Sequence, residues 1–171
     1  VDLFVAPSDF LRRTFVDSGM VPPDRIITSD NGYPKDAFAG FRRQPVPGAL
    51  RLAYVGTIAE HKGVHVLVQA MNGIDDLRVT CRIWGDLSAF QDYSSSLRSM
   101  ITNPRTHLVG AFPPERITEI LAQTDALVVP SLWFENSPLT VHEAALAGIP
   151  VIASDLGGLA EYVKEGVTGL R

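Results

Sequence analysis

Short, almost continuously apolar runs that alternate with helix-like segments constrain the fold of this chain more than any other feature. Most of these runs are apolar at consecutive positions rather than at every second one, as in "RLAYVG" and "ALVVPS". Continuous apolar runs of this length are typical of parallel strands that are covered by helices on both faces. Six such runs are predicted to be strands: 3–6, 51–56, 78–85, 106–110, 126–131 and 150–154.

Six further segments are predicted to be helices: 8–19, 63–72, 88–101, 114–123, 138–147 and 157–165. The alternation of strands and helices favours an α/β fold with a Rossmann-like, doubly wound parallel sheet. The segment "NGYPKDAFAGFRRQPVPGA", residues 31–49, is rich in Pro and Gly and is interpreted as a linker. We therefore predict a lead-in at 1–30, a linker at 31–49 and a main domain at 50–171 that stops before its final helices.

Composition and charge argue against several classes of protein. The 171 residues are 46% hydrophobic, as in a compact folded domain, and the formal net charge of −4 argues against nucleic acid or an anionic membrane as the main partner. The single cysteine, Cys81, cannot form an internal disulfide, so we expect a structural role for it and a reducing, cytoplasmic compartment. The apolar runs are too short to span a bilayer, and no signal peptide is visible. Because the chain begins without Met and stops at "GVTGLR" without a closing helix, we expect it to be a piece of a longer protein.

The loops after the strands are where function is expected, because ligands of an open parallel sheet bind beyond the carboxyl ends of its strands. None of these loops carries G-x-G-x-x-G or a Walker A motif, which argues against a dinucleotide dehydrogenase and a P-loop enzyme. A response-regulator-like domain is disfavoured, because "YVGTIAEHK" has no acidic cluster at the end of its strand. No Ser/His/Asp, Cys/His or metal-ligand spacing stands out, and the histidines are scattered at positions 61, 65, 107 and 142.

The stretch "PSLWFENSPLTVHEAALAGIPV", residues 130–151, holds two carboxylates in a nearly uncharged run. Ser137 followed by Pro138 predicts a helix start, with the hydroxyl at the N-cap and proline at the first helical position. At about 100° per residue, Glu143 lies on the same side of this apolar helix as Leu139 and Leu146. A carboxylate in that position needs hydrogen-bond donors or a cation, and a buried pair with an arginine is the alternative to a binding role.

The start of this helix is also a predicted anion site. Free amides at Asn136, Ser137, Leu139 and Thr140 would hold a phosphate, and Glu143 lies about 9 Å further along the helix axis. A ribose attached to that phosphate would reach Glu143, whose two oxygens can accept both vicinal hydroxyls. Glu135, on the preceding loop, would face the other end of a diphosphate, where a sugar presents its hydroxyls. The spacing therefore suits a nucleotide-diphosphate-sugar, whereas the alternative for Glu135 is a solvated loop carboxylate.

Four segments of the chain resemble, in the right order, the retaining glycosyltransferases of family four, which have the GT-B fold. "FENSPLTVHEAALAGIPVIASDLGGLAEYVKEGVTGL" closely resembles their donor-binding segment, in which two glutamates are separated by seven residues, as Glu135 and Glu143 are. "YVGTIAEHKGVHVLVQA" is similar to their strand, loop and helix with a basic pair for the diphosphate, and "HLVGAFPPERITEILAQTDALVVPS" to the base-binding strand and the next helix. "VAPSDFLRRTFVDSGMVPPDRI" with the "NG" at 31–32 resembles the end of their N-terminal domain and the interdomain linker. The resemblance implies that this chain is the C-terminal half of a GT-B fold, preceded at 1–30 by the last strand and helix of the other half.

The resemblance also implies a role for each matching position. Glu143 would bind the ribose hydroxyls, while Glu135 would bind the donor sugar and Lys62 would neutralise the departing diphosphate, so the last two are the candidate catalytic residues. Gly56 would allow close backbone approach, and Thr57 stands where the family usually has an arginine, so the diphosphate loses one charged contact. The alternative for Lys62 is an ordinary surface lysine at a helix start. The remaining donor-binding positions are Asn136, Ser137, Pro138, Leu139 and Thr140 around the distal phosphate, and Gly85, Asp86, Ala111 and Phe112 beside the base.

The implied activity is transfer of a sugar from a nucleotide-diphosphate-sugar, such as a UDP- or GDP-sugar, to an acceptor with retention of configuration, without a metal or cofactor. The sugar or lipid-linked acceptor would bind mainly to an N-terminal domain absent from this chain, so the chain alone is expected to bind donor and transfer little or nothing. Nucleic acid is not an expected partner, whereas peripheral association of the full-length protein with the inner face of a membrane is compatible with the resemblance. The alternatives are a GT-B nucleotide-sugar epimerase and a non-catalytic nucleotide-sugar-binding module. Trp133 and Phe134 are interpreted as packing residues rather than sugar platforms, and His142 as structural.

Overall fold

A six-stranded parallel sheet forms the main part of the protein, which a computed structural model describes over residues 2–171. Its strands are Leu50–Val55 (β3), Val79–Trp84 (β4), Thr106–Gly110 (β5), Ala126–Val129 (β6), Val151–Ala153 (β7) and Gly169–Leu170 (β8), and two earlier strands, Phe4–Ala6 (β1) and Ile26–Thr28 (β2), form a separate parallel pair. The order across the large sheet is β5-β4-β3-β6-β7-β8, and every neighbouring pair is parallel. The predicted Rossmann-like, doubly wound sheet is therefore confirmed.

Helices connect the strands. They are Asp9–Asp17 (α1), Val64–Asn72 (α2), Gln91–Met100 (α3), Ile117–Ala122 (α4), Leu139–Leu146 (α5) and Leu159–Tyr162 (α6). Each predicted helix contains one of them, although the observed helices are shorter, because their ends become turns or single 3₁₀ turns such as Pro114–Arg116 before α4. Among the residues described, no helix is long and apolar enough to cross a membrane.

Burial on both faces of the sheet explains the continuous apolar runs. Along β3, Leu52 and Tyr54 belong to one hydrophobic core, which includes residues of α2 and α3. The alternate residues Ala53 and Val55 belong to a second core, which includes residues of α4, α5 and α6. Successive side chains of a strand point to opposite faces, so a strand between two helical layers can bury consecutive side chains, as β3 and β6 do.

Three details differ from the sequence prediction. Strand β2 was not predicted, and its three residues find pairing partners only through β1. Strand β8 was not predicted either, because two residues carry no recognisable pattern and pairing with β7 defines the strand. Strand β6 ends at Val129 rather than at residue 131, since the chain turns away at Pro130.

The segment 31–49 lies against the main sheet domain. Phe38 is only 8% exposed and belongs to the same core as α5, while Tyr33 and Phe41 pack against that core. The Gln44 N–H donates to the Ala122 carbonyl oxygen at 2.8 Å. The rings of Tyr33, Phe38 and Phe41 therefore fasten this Pro- and Gly-rich segment to the domain.

The lead-in also contacts the main domain. Its own small core consists of Ala6, Val21 and Ile26, and Val1 lies outside the described residues. The Asp9 N–H donates to Glu161 at 3.0 Å, and the Phe10 ring stacks on Phe134 with centroids 5.5 Å apart. These contacts place α1 beside the loop that follows β6.

Candidate active site

A cavity of about 240 Å³ lies at the carboxyl ends of β3 and β6. The chain leaves β3 to build β4 on one side and later returns to place β6 on the other side, so this is the topological switch point of the sheet. A larger cavity, of about 300 Å³, borders α5 and β7 but has no charged side chain in its lining. The cavity at the switch point is lined by Tyr54, Val55, Gly56, Thr57, Lys62, Val129, Ser131, Glu135, Pro138, Leu139 and Thr140. Seven of the predicted site residues lie in this lining.

The loop after β3 forms one wall of this cavity. The buried Tyr54 donates its hydroxyl to the Thr57 carbonyl oxygen at 2.7 Å, which fixes the turn at Gly56 and Thr57. Burial raises the pKa of Tyr54, and the nearby Glu135 carboxylate acts in the same direction. A Cβ on Gly85 would lie 2.1 Å from the Gly56 carbonyl oxygen, so the absence of a side chain at Gly85 lets the two backbones meet. Gly85 therefore supports the cavity wall from behind rather than lining the cavity.

The two candidate catalytic residues face each other. Lys62 Nζ lies 2.6 Å from Glu135 Oε1, and Ser131 Oγ donates to the same carboxylate oxygen at 2.9 Å. Lys62 ends a short 3₁₀ turn that is followed by Gly63, whose φ of +68° is left-handed. A Cβ on Gly63 would lie 1.8 Å from the Pro130 carbonyl oxygen, so glycine lets this turn pack directly on the loop after β6. Lys62 is 27% exposed and paired with Glu135, so its side chain is not freely solvated, and its role towards a diphosphate stays a prediction.

A glycine pair supports the Glu135 loop from the other side. The Gly158 N–H donates to the Glu135 carbonyl oxygen at 2.6 Å. A Cβ on Gly158 would lie 2.0 Å from the Asn136 carbonyl oxygen, and one on Gly157 would lie 2.9 Å from the Glu135 carbonyl oxygen. These two glycines were not among the predicted site residues, although the Gly-Gly step between β7 and α6 was a visible signal.

The predicted cap of α5 is wrong by one residue. Pro138, with φ −72° and ψ 117°, is the N-cap, and no side chain caps the helix. The Ser137 hydroxyl instead donates to Asp30 Oδ1 at 2.9 Å and contacts His142 Nε2 at the same distance, so a tertiary partner takes the hydroxyl away from the helix amides. The helix therefore starts at Leu139, and the first amides without an intrahelical acceptor include those of Leu139 and Thr140, both in the cavity lining.

Glu143 has the partner that its position requires, but the partner is neutral. Tyr33 Oη donates to Glu143 Oε1 at 2.5 Å, and over residues 2–171 no Lys, Arg or His nitrogen lies within 4.0 Å of this carboxylate. The alternative of a buried pair with an arginine is therefore wrong. Burial raises the pKa of Glu143, while the Tyr33 hydrogen bond and the charge of His142 act in the opposite direction. Sequence reasoning missed Tyr33, because it lies in the segment interpreted as a linker.

The predicted base-flanking residues lie outside the cavity lining. Asp86 accepts hydrogen bonds from the N–H and hydroxyl of Ser88, at 2.7 and 2.6 Å. Phe112 is half-buried, with its ring 5.9 Å from that of Trp84, and Ala111 is exposed. Asn136, Ser137 and Glu143 are also absent from the lining, although Asn136 and Ser137 lie in the chain between two lining residues, Glu135 and Pro138. The proximity of Gly85, Asp86, Ala111 and Phe112 to a nucleotide base remains a prediction.

Trp133 and Phe134 each pack against another ring, as predicted, but neither belongs to a buried core, since they are 62% and 59% exposed. Trp133 makes an edge contact with the His61 ring at 5.8 Å, and Phe134 stacks on α1. Cys81, in contrast, is buried in the sheet, and burial raises its pKa to about 12, in line with a structural role. Over residues 2–171, no three His, Cys, Asp or Glu side chains are grouped so as to hold a metal ion.

Comparison with solved structures supports the fold. A glycosyltransferase from Rickettsia africae superimposes with a TM-score of 0.89 at 20% identity, over 99% of this chain and 48% of that one. Anabaena Alr3699/HepE in complex with UDP superimposes with a TM-score of 0.87 at 25% identity, over 99% of this chain and 49% of that one. The same Anabaena protein in complex with UDP-glucose gives a TM-score of 0.85, also at 25% identity and with the same coverage. Such neighbours are GT-B glycosyltransferases, so the prediction of a GT-B half is confirmed.

Comparison of sequences gives the family. Glycogen synthase of Mycobacterium tuberculosis is 32% identical over 147 residues, which are 85% of this chain and 35% of that protein. D-inositol 3-phosphate glycosyltransferase of Pseudarthrobacter chlorophenolicus is 34% identical over 134 residues, which are 72% of this chain and 31% of that protein. The chain thus spans about a third of the length of these two curated relatives. The family model for glycosyl transferases group 1 matches residues 41–171, and the chain belongs to this family.

Proposed function

We propose that this chain is the donor-binding half of a retaining glycosyltransferase that moves a sugar from a nucleotide-diphosphate-sugar to an acceptor. One observation carries the proposal: the cavity at the switch point brings together the ion pair of Lys62 and Glu135 and the start of α5. A cation, a helix start and a hydroxyl-binding carboxylate are the groups that a sugar diphosphate needs. Membership of the family and the UDP-bound neighbour at 25% identity support UDP-sugars as the first ligands to test.

The chemistry would centre on charge that develops on the leaving phosphate. As the bond from the sugar's anomeric carbon to the phosphate oxygen breaks, negative charge grows on that oxygen, and Lys62 is the cation that can stabilise it. The amides of Leu139 and Thr140 add the partial positive charge of a helix start. Thr57 contributes a hydroxyl and a backbone carbonyl but no charge, so Lys62 carries most of the neutralisation.

The two glutamates would hold the two ends of the donor. Glu135 would exchange its contact with Lys62 for the hydroxyls of the donor sugar, while the diphosphate takes over Lys62. The Lys62 and Glu135 side chains are only 27% and 13% exposed, so the exchange is favourable because each charge gains a new polar partner as it loses the old one. Glu143, four residues or about 6 Å along the axis from Leu139, would accept the ribose hydroxyls.

Retention of configuration and the absence of a metal follow from the sequence resemblance, and we include both in the proposal. The acceptor would bind mainly to the N-terminal part of a longer protein, so the chain alone would bind donor but transfer little. Asn136 and Ser137 would belong to the phosphate rim, and the loops at Gly85 and Phe112 to the base side. A cytoplasmic location completes the proposal.

Calorimetric titration of the chain with UDP-, GDP- and ADP-glucose, each with and without EDTA, tests the proposed function. We expect saturable binding of at least one nucleotide-sugar that EDTA leaves unchanged. Binding that requires magnesium or manganese would exclude the metal-free site, and no binding of any of the three would exclude the donor-binding role.

A further inference from the structure

The hydrogen bond between Tyr33 and Glu143 joins the candidate site to a segment to which the proposed function assigns no role. The two residues are 110 positions apart in the chain, and Tyr33 Oη is the only hydrogen-bond donor to the Glu143 carboxylate among residues 2–171. A half-buried carboxylate with a single donor depends strongly on that donor for its orientation. Tyr33 could have one of two roles: it either orients the Glu143 carboxylate for a ligand or competes with the ligand for that carboxylate.

The ring of Tyr33 is held in place from behind. Its centroid lies 6.0 Å from that of Phe38, which lies 5.9 Å from that of Phe41, and Phe38 is buried in the main core. The hydrogen bond from Gln44 to Ala122 fastens the far end of the same segment. A group that a ligand displaces must be able to move, whereas this ring is anchored, so the packing favours a fixed positioning group over a gate.

The Tyr33 hydrogen bond leaves Glu143 able to bind a diol. A carboxylate has about four acceptor sites, and Tyr33 takes one of them, so about three remain for two hydroxyls. The titratable group on the same helix beside Glu143 is His142, whose Nε2 contacts the Ser137 hydroxyl at 2.9 Å and lies 3.5 Å from Asp30 Oδ1. Within the segment 31–49, Tyr33 is the residue that donates a hydrogen bond to Glu143 and so stabilises its ionised form.

We infer that Tyr33 is a positioning residue for the nucleotide ribose, which fixes Glu143 as an oriented, ionised acceptor of the 2′- and 3′-hydroxyls. The inference rests on the proposed function, because Glu143 is the ribose ligand only if a nucleotide binds here. Tyr33, in the segment 31–49, would thus belong to the donor site, and the ribose is the part of the donor that it affects.

The first test compares UDP with 2′-deoxy-UDP at a single pH, so that both phosphates have the same ionisation. In the wild-type chain we expect the deoxy ligand to bind about tenfold more weakly, because one hydroxyl to a charged acceptor is lost. In Tyr33→Phe we expect UDP itself to weaken about tenfold and the ratio between the two ligands to fall to about twofold. Tyr93→Phe is the matched control, since it removes a hydrogen-bonded hydroxyl on α3 outside the cavity lining, and it should keep the wild-type ratio.

The second test follows protonation. Because the Tyr33 hydrogen bond lowers the pKa of Glu143 against the effect of burial, its removal should raise this pKa further. The Glu143 carboxyl resonance of the ligand-free chain should therefore titrate at higher pH in Tyr33→Phe, and UDP-glucose, whose phosphates do not titrate near neutral pH, should lose affinity on acidification earlier than in wild type.

The outcomes separate the inference from the proposed function. Wild-type chain that binds no nucleotide-sugar overturns the proposed function, while the ligand-free titration still decides whether Tyr33 controls Glu143. A Tyr33→Phe chain with an unchanged Glu143 titration, or with wild-type discrimination between UDP and 2′-deoxy-UDP, overturns the inference. Tighter binding of UDP to Tyr33→Phe overturns it as well, because that result identifies Tyr33 as a competitor.

Discussion

The two glutamates on either side of the start of α5 have contrasting surroundings. Glu135 lies on a loop and contacts a full positive charge, that of Lys62, at 2.6 Å. Glu143 lies on the helix itself, and among residues 2–171 its carboxylate accepts a side-chain hydrogen bond only from the neutral hydroxyl of Tyr33. One carboxylate is held by a cation on a neighbouring loop, and the other by a ring anchored in the core.

This difference separates an exchangeable contact from a fixed one. In the proposed function the diphosphate binds the same cation that contacts Glu135, so binding of a donor would separate Lys62 from Glu135. The hydroxyl beside Glu143 competes for no charge and leaves acceptor sites free, so a ribose can add to it. Two carboxylates eight positions apart can thus be held in opposite ways, one by a cation and one by a neutral hydroxyl.

The largest expected effect comes from removing the cation of the exchangeable pair. Lys62→Ala should weaken UDP and UDP-glucose alike by on the order of a hundredfold, because a charge-assisted contact to the diphosphate is lost and Glu135 is left as an uncompensated negative charge beside it. Calorimetry with both ligands measures the effect, and the exposed Lys164→Ala is the matched control. Wild-type affinity in Lys62→Ala would mean that the diphosphate does not reach this pair.

Substituting each glutamate in turn tests the contrast directly. Glu143→Gln should weaken UDP and UDP-glucose equally, by about tenfold, because both ligands carry the ribose. Glu135→Gln should weaken UDP-glucose about tenfold but bind UDP slightly more tightly than wild type, because Lys62 is no longer engaged by a carboxylate. Each variant is the control for the other. Equal losses of both ligands in both variants would show that the roles of the two ends are misassigned.

A smaller effect is expected from adding charge at Thr57, which is exposed at the cavity wall. Thr57→Arg should tighten UDP binding by about threefold at low salt, and less at high salt, since contacts of exposed charges are screened. Combined with Lys62→Ala, it should restore part of the lost affinity, as a double-mutant cycle at two salt concentrations would measure. Unchanged affinity in Thr57→Arg at both salt concentrations would place position 57 away from the phosphates.

The smallest effect concerns stability and pH. Burial raises the pKa of Glu143 in the folded protein above its ordinary value of 4.5. Ionised Glu143 therefore lowers the free energy of unfolding at pH values above the folded-state pKa. This destabilisation disappears as the pH falls below the pKa that Glu143 has in the unfolded chain. Glu143→Gln keeps an acceptor for Tyr33 and should raise the free energy of unfolding at pH 7 but not at pH 4. Urea unfolding at the two pH values measures this. A destabilisation at pH 7 would mean that the Tyr33 contact depends on the charge.

Much of the site could be predicted because its signals are local in the sequence. The run "VHEAALAGIP" shows an apolar helix that carries one carboxylate, and "FENSP" shows the loop that carries the other. The family resemblance located Gly56 and Gly85, and at Gly85 only glycine permits the close approach, since a Cβ there would lie 2.1 Å from the Gly56 carbonyl oxygen. The N-cap of α5 was misplaced because a local rule cannot foresee that Asp30 and His142 would take the Ser137 hydroxyl.

The layers of the fold, and the edge of the sheet at which the site lies, could be predicted from the sequence alone. Continuous apolar runs indicate strands buried on both faces, and the alternation of strands and helices places the ligand site beyond the carboxyl ends of parallel strands. Which groups meet at the site depends on the tertiary structure. Lys62 pairs with Glu135, 73 positions away in the chain, Ser137 with Asp30, 107 positions away, and Tyr33 with Glu143, 110 positions away. Hydrophobic periodicity is a property of residues that are neighbours in the sequence, so it can be recognised without a structure. A hydrogen bond or ion pair, in contrast, needs two groups within about 3 Å, and only packing of the folded chain brings residues that are distant in sequence so close.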